Sequence, residues 1–351
     1  MNIDYSIIVP VFNRPDEVDE LLDSLTRQTV KNFEVIIVED GSSVTCEETC
    51  RKYDGRLDIH YYKKDNSGPG QSRNYGADRA SGAFLLVLDS DVVLPETYIE
   101  AVGREMKENP CDAFGGPDAS HASFTPTQKA ISYSMTSFFT TGGIRGGKTK
   151  LDKFYPRSFN MGIRREVYRK LGGFSPMRFG EDIDFSYRIV EAGFSTRLFP
   201  TAWVWHKRRT DYRKFWRQVY NSGIARINLD KRHPGTMKLV HLLPTVFTAG
   251  VFALLATSFT GRMLMVYGPG PDPLHRWYWL CAAPWLPILL YSLLLFLDST
   301  RVNKSIGIGA RSVVAAFVQL MGYGCGFIYA WWQRCLLKKD EFHAFDKTFY
   351  K

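Results

Sequence analysis

Three stretches of this 351-residue chain carry no aspartate, glutamate, lysine or arginine: between Lys238 and Arg262, between Arg276 and Asp298, and between Arg311 and Arg334. Each is close to the roughly 20 apolar residues that take a helix across a bilayer. A single such run reads equally as a buried helix of a soluble protein, but three in succession point to a membrane-embedded C-terminal region. The second, WYWLCAAPWLPILLYSLLLFL, is the strongest, with aromatic residues at one end as an interfacial belt has. The third is diluted by Gln319, Tyr323, Gly322, Gly324 and Gly326.

The N-terminal MNIDYSIIVPVFNRPDE has no basic region, and its apolar run is broken by Pro10, so no secretory signal is expected and the polar part should stay in the cytoplasm. Arg301, Lys304 and Arg311, between the second and third runs, place that loop on the same side. The tail beyond Arg334 is also basic, with Lys338 and Lys339, yet three crossings would put it outside. Either the tail departs from the positive-inside tendency or the third run lies in the interface.

The net charge of +9 is not spread as a nucleic-acid surface would need. It concentrates in HKRRTDYRKFWRQ, which includes Arg209, just before the first apolar run. Trp216, Val219, Tyr220, Gly223, Ile224 and Ile227 fall on one helical face, with Arg217 and Arg226 elsewhere. Such a helix either lies on anionic lipid or is a docking helix of the soluble domain, and pattern alone allows both. The partners expected are membrane lipids and no nucleic acid. Cys46, Cys50, Cys111, Cys281, Cys325 and Cys335 form no Cys-x-x-Cys pair and read as reduced.

Before residue 208 the pattern changes to short apolar runs alternating with helical periodicity. Strands are expected at Ser6 to Val11, Phe33 to Val38, Leu57 to Tyr62 and Phe84 to Leu88. Helices are expected at Asp16 to Arg27, Cys46 to Lys52 and Ser72 to Ala80. The fold class is α/β, with a mostly parallel sheet covered on both faces. Ligands of such sheets bind at the carboxyl ends of the strands. Asp40, after Val38, and Asp89 and Asp91, after Leu88, sit at those ends. Asp40-Gly41 alone also suits a turn. A turn does not call for two acids at Asp89-Ser90-Asp91 followed at once by Val92, Val93 and Leu94.

The first strand is followed by Pro10-Val-Phe-Asn-Arg-Pro15, not by Gly-x-Gly-x-x-Gly, and no P-loop motif occurs, which disfavours both dinucleotide and P-loop sites. Paired hard carboxylates instead suit Mg²⁺ or Mn²⁺ with substrate phosphates completing the shell. The segment from Gly116 to Lys153, rich in Ser, Thr and Gly, has no periodicity and reads as an active-site loop.

The ordered set Ser6-Ile-Ile-Val-Pro-Val-Phe-Asn13, Val38-Glu-Asp40-Gly-Ser42, Gly68-Pro-Gly-Gln-Ser-Arg-Asn74, Leu88-Asp-Ser-Asp91 and Gly180-Glu-Asp182 resembles the family 2 glycosyltransferases of the GT-A fold. The resemblance covers about the first 225 residues. It implies a GT-A (Rossmann-like) domain over 1–208, and charge and composition add a basic interfacial helix and linker over 209–238, a membrane region with two or three helices over 239–334, and a tail over 335–351. It implies that Pro10 and Val11 border the nucleotide base, that Asp40 accepts a hydrogen bond from it, and that Gly68, Arg73 and Asn74 lie near the ribose and diphosphate. Asp91, with Asp89 and Ser90, would match the Asp-x-Asp motif that addresses the metal and the sugar nucleotide. Asp91 is the member expected to matter most to the metal, and Asp89 to position the sugar.

The resemblance also implies that Asp182 is the base that deprotonates the acceptor hydroxyl in an inverting displacement. Asn160 and Glu181 would lie on the acceptor side. Asp184 reads as a helix-start residue complementing the dipole. His206 resembles a histidine that can complete the metal site, although a lone histidine is as readily structural. The Gln-x-x-Arg-Trp motif of processive synthases is absent, and Arg217-Gln-Val-Tyr-Asn221 does not replace it. The expected function is therefore single-sugar transfer from a nucleotide-sugar donor to a lipid-linked or glycan acceptor, at the cytoplasmic face of the inner membrane, in cell-envelope polysaccharide or glycolipid synthesis. The alternatives are a non-catalytic sugar-nucleotide-binding membrane protein and a processive polysaccharide synthase. Transport is disfavoured, because the apolar runs lack internal ionisable residues.

Overall fold

The computed structural model describes residues 4–119, 124–141, 154–177, 179–207, 209–267 and 281–341. These fall into two compact units: the described residues of 1–122, 148–207 and 340–351, and those of 123–147 and 208–339.

The first unit opens with β1 (Tyr5–Val11), α1 (Pro15–Thr26), β2 (Phe33–Asp40), α2 (Glu47–Arg51), β3 (Ile59–Lys64), α3 (Pro69–Ala77) and β4 (Phe84–Leu88). Next come β5 (Val92–Val93), α4 (Tyr98–Glu108), β6 (Ala113–Gly115) and β7 (Asp118–Ala119). The chain then contributes α5 (Pro126–Thr136) and α6 (Phe138–Thr141) to the second unit. It returns with β8 (Asn160–Arg164), α7 (Arg165–Lys170), α8 (Glu181–Glu191), β9 (Thr196–Leu198) and β10 (Val204–His206).

The main sheet has the order β3-β2-β1-β4-β8-β6-β9. The pairs β3/β2, β2/β1, β1/β4 and β6/β9 are parallel, and β8 runs antiparallel between β4 and β6. Burial on both faces follows from the run of apolar residues in each strand. Along β1, Ile7, Val9 and Val11 pack with Val18, Leu21, Leu22 and Leu25 of α1, while Ile8 points to the other face with Ala77 of α3 and Phe185 and Ile189 of α8. That alternation is the two-residue period of a strand. The observed elements match the expected ones with end shifts of one to three residues, and β4 matches at both ends. A second sheet, β5-β10-β7, pairs β10 antiparallel to β5 and parallel to β7.

In the second unit, α9 (Tyr212–Arg232), α10 (Leu239–Tyr267), α11 (Leu286–Asn303) and α12 (Ile306–Trp331) follow α5 and α6. Three stretches, Leu239–Met263, Ala283–Asn303 and Ile306–Leu336, are long and apolar enough to cross a membrane. They are not alike. Only 11% of the most apolar window is buried in each of the first two, against 44% in the third.

The glycines that dilute the third run are its packing surface. A Cβ at Gly326 would overlap the Tyr220 carbonyl of α9, one at Gly322 would come 2.6 Å from the Val219 side chain, and one at Gly324 would come 2.7 Å from the Pro244 carbonyl of α10. Gly223 of α9 meets α12 in return, its Cβ position lying 2.7 Å from the Phe327 amide nitrogen. The apolar face of α9, with Val219, Gly223, Ile224 and Ile227 buried, is therefore spent on protein. The partner of that face is α12 of the same unit, an arrangement distinct both from a face laid on lipid and from a helix docked on the soluble domain.

Two expectations change. The stretch 124–141 groups with the helical unit rather than with a single domain over 1–208. The reason is the apolar face of α5, where Ala130, Ile131 and Met135 pack with Ile308 and Ala315 of α12. Within the expected irregular segment, residues 126–136 are helical, started by a Thr125/Gln128 capping box. Residues 142–153 of that segment lie outside the described residues. All six cysteines are free.

The tightest point of the main sheet is Gly162 on β8, where a Cβ would overlap the Phe114 ring across the β6/β8 pair. That ring cannot yield, because it is fully buried and stacked on Phe199 at 4.3 Å and 14°. Gly162→Ala is expected to destabilise the fold by about 1–3 kcal/mol through overpacking, read as a lower denaturant midpoint at unchanged slope.

Candidate functional site

The carboxyl ends of β1, β2 and β4 converge on one rim. Leaving β4 at Leu88, the chain turns through Asp89-Ser90-Asp91 into β5, and the β5/β10 pairing sets His206 opposite Val92. This antiparallel register carries His206 to the paired acids, with its Nε2 3.2 Å from Asp91 Oδ1. Asp89, Asp91 and His206 each offer a ligand atom, all within 4.8 Å of one another. Phe159 stacks on the imidazole at 4.9 Å and 15°, and Asp118 Oδ2 lies 4.0 Å from Nδ1. Two carboxylates and an imidazole are a donor set that fits Mn²⁺, and the carboxylates alone fit Mg²⁺. Asp91 is 6% exposed and also faces Arg14 Nη1 at 3.3 Å. Ser90, between the acids, is buried.

At the end of β2, Asp40 is 4% exposed and already engaged. It accepts hydrogen bonds from the Ser67 and Gly68 amides, at 2.9 and 2.8 Å, and from Lys64 Nζ. Its carboxylate therefore shapes the loop that starts α3, where Gly68 takes φ 90°, a value that only glycine adopts without strain. Pro10 and Val11 end β1 beside it, through the pairs Pro10↔Val38 and Val11↔Glu39. Asn13, at φ 55°, ties the next turn: its Oδ1 accepts from the Ser43 amide, the Ser43 hydroxyl and the Val44 amide at 2.9–3.0 Å. Its own amide donates to Ser42 Oγ, which in turn donates to buried Glu39.

Arg73, expected near the ribose and diphosphate, is engaged by two acids of the protein. It is 3% exposed, and its guanidinium donates to Asp89 Oδ1 at 2.7 Å and to Glu181 Oε1 at 3.1 Å. It thus joins the acid pair after β4 to the start of α8. Asn74 is also spent on the protein: Nδ2 donates to the Phe174 carbonyl at 2.9 Å, while Oδ1 accepts from the Phe174 amide and the Tyr168 hydroxyl. Asn160, expected on the acceptor side, is engaged within the protein. It is 1% exposed, because it begins the central strand β8 opposite Leu88, and Tyr98 Oη and the Ala202 carbonyl take up its amide at 2.6 and 2.8 Å.

The helix α8 begins at Glu181, after Gly180 at φ 86°. Asp182 accepts from Arg157 Nε at 2.7 Å and from the Ile183 amide at 2.9 Å. Burial pushes the Asp182 carboxyl up, but Arg157 outweighs it and holds the group below the usual carboxylate range. Glu181 goes the other way: burial raises it more than Arg73 lowers it. Asp184 is structural as expected, accepting from Ser175 Oγ at 2.7 Å and Arg188 Nε at 3.0 Å. Arg157, Phe159, Arg14 and Lys64 touch the site without having been singled out from sequence. Their signal was absent because each reaches its partner across the fold or from an irregular segment.

The family model described as Glycosyl transferase family 2 matches residues 6–172. An uncharacterized glycosyltransferase of Rickettsia felis is 40% identical over 107 residues, which is 30% of this chain and 17% of that protein. An uncharacterized glycosyltransferase of Haemophilus influenzae is 33% identical over 195 residues, 53% of this chain and 62% of that protein. The chain thus spans less than two thirds of either relative. Among solved structures, the mannosyltransferase PcManGT from Pyrobaculum calidifontis, in complex with GDP-Man and Mn²⁺, matches with a TM-score of 0.59 at 16% identity. That match covers 90% of this chain and 86% of that one, and it is a likeness of fold.

Arg73→Met would leave the half-buried Asp89 and Glu181 carboxylates without their shared cation. It is expected to destabilise the protein by about 3 kcal/mol in the absence of any nucleotide. A residue that only contacted a diphosphate would leave the unliganded denaturation midpoint unchanged.

Proposed function

We propose, from the match of residues 6–172 to the family 2 glycosyltransferase model, that the chain is an inverting enzyme moving one sugar from a nucleotide-sugar donor to a lipid-linked acceptor. The reaction would run at the cytoplasmic face of the inner membrane, in cell-envelope polysaccharide or glycolipid synthesis. The observation that carries this reading is the buried Arg73 guanidinium, which ties Asp89, one of three candidate metal ligands, to Glu181, the neighbour of Asp182. Donor-side and acceptor-side acids are thereby parts of one rigid group. The three apolar helices favour an acceptor carried in the membrane.

In this reading Asp89, Asp91 and His206 hold Mn²⁺ or Mg²⁺, which when bound supplies Lewis-acid neutralisation of the leaving diphosphate. The mannosyltransferase of like fold, solved with GDP-Man and Mn²⁺, supports a nucleotide-sugar and metal pairing. Pro10, Val11 and the loop shaped by Asp40 and Gly68 form the nucleotide side. Asp182 accepts the proton of the acceptor hydroxyl as its oxygen bonds to the anomeric carbon. The bond from that carbon to the phosphate oxygen breaks, and the nucleoside diphosphate leaves with the electron pair. Arg157 keeps Asp182 ionised and ready to accept.

Asp182→Asn is expected to retain donor binding and lose about 10²–10⁴-fold in transfer rate, since a positioned base contributes that much. Full transfer by this variant, assayed with sugar nucleotides and membrane lipid extract, would remove Asp182 from the mechanism. Asp91→Ala is expected to abolish the Mn²⁺-dependent part of nucleotide binding in calorimetry, and an unchanged metal dependence would refute the metal assignment. The pH profile supplies a third check. A base is active when ionised, so the rate falls as pH drops through the pKa of Asp182, which lies below the ordinary range. Removing the guanidinium in Arg157→Gln leaves burial unopposed by this partner, so the acid limb of kcat/KM should move to higher pH.

A further inference from the structure

We propose that only α10 and α11 cross the bilayer, and that α12, despite its length and apolarity, stays with α9 on the membrane face where the chain leaves the first unit. The proposal does not depend on the transferase reading. Its first support is the path of the chain. The first unit ends its main stretch at Lys207, and the last two described residues, Asp340 and Glu341, belong to that same unit, with Glu341 only 5% exposed. A chain that leaves a folded unit and returns to it has crossed the bilayer an even number of times. Three crossings are therefore one too many. Residues 268–280, between α10 and α11, are too few for a span and carry Asp272 and Arg276.

The second support is what lies along α12. Helix α9 runs beside it in the same direction for most of its length: Tyr212 donates to the Arg311 carbonyl, Val219 meets Gly322, Gly223 meets Phe327, and Arg334 donates to Asn228. Were α12 a span, this partner would lie at the same depth. Arg213, Lys214 and Arg217 of α9 are exposed, and Arg217 falls between Trp216 and Val219, which both lie against Gly322 near the middle of α12. An exposed arginine at mid-bilayer is strongly disfavoured, whereas in the headgroup layer it faces anionic lipid. Helix α5, which carries Lys129, also packs on α12. Apolarity in α12 thus serves the interior of a folded unit, while the outer surfaces of α10 and α11 meet lipid.

The proposal removes the conflict over the basic tail, since Lys338 and Lys339 then share a side with Arg301, Lys304 and Arg311. To test it, the full chain is fused at its C-terminus to green fluorescent protein, which matures only in the cytoplasm, or to alkaline phosphatase, which is active only after export. The same pair at the N-terminus is the reference. The expected result is the same active reporter at both ends, and opposite reporters would overturn the proposal. A second measurement uses Arg217→Cys in native membranes, treated with a membrane-impermeant maleimide and read by mass spectrometry on the peptide carrying position 217. Labelling is expected at a rate similar to that in detergent, and protection by about tenfold or more would place α9 in the hydrocarbon and refute it.

Discussion

The candidate site depends on one buried cation. Arg73 sits at the bottom of the rim between Asp89 and Glu181, and without it the turn after β4 and the start of α8 would bring carboxylates together in a low dielectric. Its place follows from backbone choices made earlier in the chain. Gly68 turns the strand exit so that α3 starts beneath the rim, and Asp40 holds that turn by accepting two backbone amides. Arg73 then lies one helical turn inside α3. Asn74, next to it, ties the helix to Phe174, so the guanidinium cannot drift from either acid.

The sheet was readable because its strands are buried on both faces and are therefore continuous apolar runs, bounded by residues that suit turns. The acid pair was readable for the same reason, since two aspartates at the end of such a run have no structural need. Other parts were not readable. Resemblance aligns positions along the chain but does not say which way a side chain points. Asn74 and Asn160 read as donor-side and acceptor-side residues, and nothing in the sequence showed that their amides also hold the Phe174 backbone and the Ala202 carbonyl. Arg157 and Phe159 gave no signal, because they lie in an irregular segment and gain meaning only from Asp182 and His206, far along the chain.

The helical unit teaches a related point about composition. Counting apolar residues treats a glycine as a weak member of a membrane run, so Gly322, Gly324 and Gly326 seemed to dilute the third run. Packing reverses that reading, because a missing Cβ lets two backbones approach until carbonyl and helix touch. What separates α12 from α10 and α11 is less how apolar it is than what covers it.

Asn13 gives the rim a further property. A residue at φ 55° whose side-chain oxygen gathers three donors binds the exits of β1 and β2 into one piece. Those hydrogen bonds fix the loops on that side, so a ligand of the proposed nucleotide site would find its walls already set and give up little chain entropy in closing them. Affinity at such a site would then be decided by the few polar atoms left over after the protein has satisfied itself, and small changes among those atoms would retune which ligand is preferred without disturbing the scaffold.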